Sequence, residues 1–164
     1  MTYLFPDSPL VGDASVRLAS YYYSKEQRYD IASKIYTSFR NRFPAHPQAP
    51  NALFMGGQCL VKQAETLAED KKNARGKAAM IADAYKDAVS SFVSLVDNYK
   101  DIQNKELLAQ GLYWAGDVSF RLKDYPNAYI YLKRTTFEYP ESKWARYARG
   151  MLLQEAAAFE EVAQ

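Results

Sequence analysis

A chain of 164 residues, 48% hydrophobic with 7 glycines and 7 prolines, is long enough to bury a core and is not a disordered or low-complexity sequence. Its 21 basic and 19 acidic residues leave a net charge of +2, which excludes the global field expected of a nucleic-acid or anionic-membrane binder. A single cysteine excludes an intrachain disulfide and leaves the redox compartment open, and no segment reads as a signal peptide or as the roughly eighteen apolar residues of a membrane span.

Apolar residues recur at helical spacing almost throughout. With Asp13 as the expected N-cap, Val16, Ala19 and Tyr23 mark a first helix. Tyr29, Ala32, Tyr36 and Phe39 mark a second, which ends at Phe43-Pro44 because proline disfavours helical geometry in the residue before it. Pro47 and Pro50 stand where a third helix can begin, and Ala52, Leu53, Gly56, Leu60, Ala64 and Leu67 form its stripe. A polar turn is expected over 69–76, followed by a fourth helix carrying Ile81, Tyr85, Ala88, Phe92, Leu95 and Tyr99. A fifth is predicted over 106–122, a sixth from Asp124-Tyr125-Pro126 to Tyr139-Pro140, and a seventh over 142–162.

Helices in tandem pairs invite a search for repeats, since one pair cannot bury its own apolar face. The stretch from Ala109 to Pro140 resembles a tetratricopeptide repeat through Leu112, Ala115-Gly116, Tyr125, Ala128, Leu132 and the closing Pro140. Val16, Ala19-Ser20, Tyr29, Ala32, Tyr36, Phe39 and Pro44 repeat that order. In the middle, Tyr85, Ala88, Phe92 and Leu95 match the second helix of a pair, but Lys100 replaces the proline. Ala32 and Ala88 lie 56 residues apart, against about 34 for one repeat of this type. The excess predicts lengthened arms and a projecting charged turn. The junctions FPAHP at 43–47 and YPESK at 139–143, with FPDSP at 5–9, are similar to those of bacterial envelope repeat proteins of the BamD-like and YbgF-like kind.

The resemblance implies an all-α fold, a right-handed superhelix of about three helix pairs with the middle pair extended. The repeats would cover about 13–45, 46–100 and 106–140 of a domain spanning 13–163, with a capping helix at 142–162. Residues 1–12 would be a leader or the remnant of a preceding repeat. It also implies a scaffold that holds a peptide or partner protein in a concave groove lined by the first helix of each pair. Carried onto this sequence, the groove positions are Arg17, Tyr21 and Lys25, then Tyr113, Asp117, Phe120 and Arg121. In the middle repeat they are Phe54, Gln58 and Lys62, where either Gly56 or Gly57 is the close-packed glycine. The alternative is a structural subunit assembling through the middle hairpin and last helix. The compartment would be periplasmic or cell-envelope if the subtype holds, and cytoplasmic otherwise.

Tyr23, Tyr29, Tyr36, Tyr85 and Tyr125 fall on core positions, where the ring fills volume and the hydroxyl reaches outward. Lys71, Lys72, Arg75 and Lys77 at the expected turn read either as a solvated tip or as a contact for an acidic partner, a lipid headgroup or RNA. Enzyme chemistry is not expected: His46 and Cys59 are separated by more than three helical turns, and no phosphate loop, HExxH or calcium loop is present. No metal or cofactor is called for.

Overall fold

The computed structural model describes residues 8–70 and 74–163, with the side chains of 74–75 and 161–163 outside that description. The described residues form eight α-helices that pack in neighbouring pairs. They fall into two compact units, Met1–Ala84 and Tyr85–Gln164.

In the first unit, α1 spans Pro9–Ser24, α2 Tyr29–Arg42 and α3 Ala49–Glu69, and α4, Ala74–Asn98, begins. The expected N-cap at Asp13 is corrected to Ser8, whose Oγ accepts from the Leu10 amide at 3.3 Å. Serine caps as well as aspartate, and Pro9 suits the first helical position because that amide has no intrahelical acceptor. Residues 9–12 therefore belong to α1 rather than to a leader. Ala19, Ala32, Tyr36 and Phe39 are buried between α1 and α2, and the Tyr36 hydroxyl lies 3.0 Å from Ser20 Oγ. Burial raises the Tyr36 phenol above its ordinary pKa, partly offset by that hydrogen bond. Because α3 packs on α2 and is apolar on most of its circumference, it buries Ala49, Ala52, Leu53, Phe54, Gly56 and Cys59. At 21 and 25 residues, α3 and α4 exceed the helices of the first pair (16 and 14) and of the pair that follows (17 and 14), as the repeat spacing predicts.

In the second unit, α5 (Lys105–Arg121) and α6 (Tyr125–Glu138) pair, α7 (Lys143–Gln154) packs on both, and α8 (Ala156–Ala163) packs on α6 and α7. The close approach of α5 and α6 depends on Gly116, where a Cβ would stand 2.7 Å from Leu132 Cγ. That is well inside van der Waals contact, so the residue must be small. The predicted seventh helix is instead two. Glu155 interrupts it at φ −102° and ψ 25°, between α7 and α8.

The two regular pairs repeat their backbone turns. Between α1 and α2, Gln27 takes φ 51° and Arg28 follows at −88°, 73°. Between α5 and α6, Lys123 takes φ 60° and Asp124 follows at −85°, 70°. The exits match as well, with Phe43 at −127°, 56° and Tyr139 at −132°, 55°, each before a proline.

Candidate functional site

The entry to each following helix is built alike. Ser8 Oγ accepts from the Leu10 amide at 3.3 Å, His46 Nδ1 from the Gln48 amide at 3.2 Å, and Ser142 Oγ from the Trp144 amide at 3.1 Å. His46 thus does what serine does elsewhere. Accepting through Nδ1 places the proton of the neutral ring on Nε2, which faces Asp13 Oδ1 at 3.7 Å. The ring stands edge-on to Phe39, at 5.2 Å between centroids, and sits on Gly12, where a Cβ would meet it at 3.2 Å. Beside it, Pro9, Arg42, Phe43 and Pro47 line an open cleft of about 620 Å³.

The shared bond lets the three helices be compared position by position, although α1 and α7 begin directly after Ser8 and Ser142 and α3 begins at Ala49, behind Gln48. Ala14, Ala52 and Ala148 are each the sixth residue after the capping position, and Leu18, Gly56 and Leu152 the tenth. On α3 and α7 this face is covered: Ala52 and Ala148 are buried, and Gly56 lies against Tyr36 of α2. On α1 it is open. Leu10 is 77% exposed, Leu18 49% and Tyr21 49%, with Ala14 exposed between them. These residues share one helical face, flanked by exposed Arg17 and Lys25, neither of which forms an ion pair with the described residues. The Tyr21 hydroxyl donates to Glu26 Oε1 at 2.7 Å, and that acceptor raises its pKa.

The other proposed groove residues divide. Phe54 and Gln58 are buried on α3, in the stretch where the sequence register is ambiguous by one residue. Gln58 Nε2 has no hydrogen-bond acceptor among the described residues. Lys62 is half-exposed and pairs with Glu65 Oε2 at 2.8 Å, which raises its pKa.

In the second unit, Tyr113 does not stand open but joins an aromatic cluster on α7, 5.2 Å from Trp144 and 6.1 Å from Tyr147 between centroids. Burial, then the nearby Asp117 carboxylate, push the Tyr113 phenol up. Asp117 Oδ2 holds Arg121 Nε at 2.8 Å, and the guanidinium lies 6.0 Å from the Trp114 ring centre. Phe120, half-buried, packs on Tyr125 and on Phe159 of α8.

No family model, curated protein or solved structure matches the chain. Its own geometry therefore carries the functional argument. Among the described residues, no three of His, Cys, Asp and Glu gather as a metal site, and no helix is long and apolar enough to cross a membrane. Burial pushes the Cys59 thiol up to about 12, far from the range of a reactive thiolate. At the charged turn, Lys71 and Lys72 lie outside the described residues, as does the Arg75 side chain, and Lys77 pairs with Asp70.

Sequence reasoning missed Leu10 and Leu18 as surface groups and Phe159 as a core group. Aligning the junction residues Ser8, His46 and Ser142 places Leu18 level with Gly56 and Leu152, which are covered, so the exposure of Leu10 and Leu18 is not legible in the sequence. Nothing in the local sequence marks Phe159, which is buried against Phe120, Tyr125 and Tyr129.

Proposed function

We propose that this chain is a tetratricopeptide-type scaffold, without enzymatic activity of its own, that engages a partner protein or peptide through the first helix of a pair. The matching turns at Gln27 and Lys123, and the matching exits at Phe43 and Tyr139, support a repeated helix-pair architecture. The observation that carries the binding reading is the α1 face. Leu10, Leu18 and Tyr21 are exposed at and around positions that α3 and α7 cover. Leaving several large apolar groups in water on one face forgoes burial worth about 25 cal/mol per Å², which a partner recovers. Tyr21, Arg17 and Lys25 add contact area, hydrogen bonding and positive charge, the usual features of an interface anchor.

The test is retention of partners by the immobilised protein, compared with a variant carrying Arg17→Ala, Tyr21→Ala and Lys25→Ala. These side chains are exposed, so helicity by circular dichroism should be unchanged. Binding of the specifically retained species should weaken at least about tenfold, as expected when interface anchors are truncated. Equal retention by both proteins would show that α1 is not the working surface.

A further inference from the structure

We infer that α8 is an exchangeable element, and that two copies of this chain associate by each inserting α8 into the other's aromatic socket. The socket belongs to the second unit. Phe159, 3% exposed, sits among Phe120 at 5.7 Å, Tyr129 at 5.8 Å and Tyr125 at 6.5 Å between ring centroids. Of the described α8 side chains, Phe159 is the buried one, and Ala156, Ala157 and Glu160 are exposed. Among the described side chains, one aromatic group therefore anchors α8.

The tether is equally slight. α7 and α8 are separated by one residue, Glu155, at φ −102° and ψ 25°. Neither glycine nor proline explains the interruption. Residues 152–160 read Leu-Leu-Gln-Glu-Ala-Ala-Ala-Phe-Glu, almost all good helix formers. The helical hydrogen bonds also persist on both sides: the Glu155 amide donates to Met151 O at 2.9 Å, and the Ala158 amide to Glu155 O at 3.0 Å. Local sequence favours one continuous helix, as periodicity predicts, and the seating of Phe159 favours the bend. Two conformations of one segment are thus set against each other at a single residue.

Straightening at Glu155 would carry α8 away from its own α6 by up to its own length of about 12 Å, at 1.5 Å per residue. The socket would be left open. A second copy's α8 fits it by construction, since Phe159 would meet the same three rings. Exchange therefore conserves the socket contacts and makes both helices continuous, at the cost of association. Exchange of a terminal element about a short hinge is a low-cost route to such swapped dimers. The α1 face lies in the other unit and plays no part in this.

Sedimentation equilibrium of the full chain, from about 1 µM to about 1 mM, reads the dissociation constant directly. Glu155→Ala favours the straight helix and Glu155→Gly the bend. Alanine over glycine is worth about fivefold per helical position, so the alanine dimer should be about 30-fold tighter, with two hinges per dimer. Phe159→Ala should abolish the dimer. Equal dissociation constants for the two Glu155 variants, or a dimer that survives Phe159→Ala, would overturn exchange. So would an alanine variant that stays monomeric at about 1 mM, which would leave the socket to a helix from another protein.

Discussion

At the scale of single residues, His46 occupies a position where the chain twice uses serine, and the comparison isolates what the ring adds. Ser8 and Ser142 cap through a hydroxyl, His46 through Nδ1, and each reaches the amide two residues on. His46→Ser should keep the cap and lose the ring's packing against Phe39 and Gly12, whereas His46→Ala loses both. The alanine variant should therefore be less stable than the serine variant by about 1 kcal/mol, the usual worth of such a cap. Urea denaturation of the two proteins side by side measures that difference, and equal midpoints would remove the cap from the account. The ring was legible in the sequence only as a junction residue. Its role depends on Gly12, which admits it, and a lone glycine inside an amphipathic pattern does not announce what rests on it.

At the scale of elements, periodicity located six of the eight helices closely, because proline stops and apolar stripes are local signals. That count takes α1 by its extent alone, since its start is misplaced: Asp13 and Ser8 are both competent caps and only the structure chooses. Periodicity also joined α7 to α8, because the bend at Glu155 is imposed by packing from 120, 125 and 129, far away in sequence. The same dependence on context separates two alanines that look alike in sequence. Ala14 and Ala148 each stand six residues after a capping serine, yet Ala14 is exposed and Ala148 fully buried. Ala14→Gln should change stability by no more than about 0.5 kcal/mol, since a surface helix tolerates glutamine. Ala148→Gln must place a longer polar side chain into the core of Ala128, Leu132 and Phe159, and should cost about 2–4 kcal/mol. Thermal or urea unfolding distinguishes the two. A large cost for Ala14→Gln would mean that the α1 face is covered in the free protein.

For the molecule as a whole, the division into two compact units has an experimental handle already in the sequence. Both tryptophans, Trp114 and Trp144, lie in the second unit, and the single cysteine, Cys59, lies in the first. Tryptophan fluorescence therefore reports one unit, and thiol labelling the other. Cys59 is fully buried and its pKa is pushed up to about 12, so near pH 8 it labels through opening of the first unit. The raised pKa also fixes a sign. Burial of the thiol contributes stability that is complete below about pH 9, its ordinary value, and is lost as pH climbs towards 12. Labelling is best read below that window. Each unit has its own buried residues, Tyr36 and Phe39 in one, Leu112 and Leu132 in the other. In chains built from successive helix pairs, stability is roughly a sum of local terms, and a lesion in one pair is felt most by its neighbours. Ala148→Gln should therefore lower the fluorescence midpoint by about 1–2 M urea, taking a slope of about 2 kcal/mol per M. The Cys59 labelling midpoint should move by less than half as much. If instead both midpoints fall together, the long α4, which runs from one unit into the other, transmits the loss, and the two units unfold as a single cooperative body.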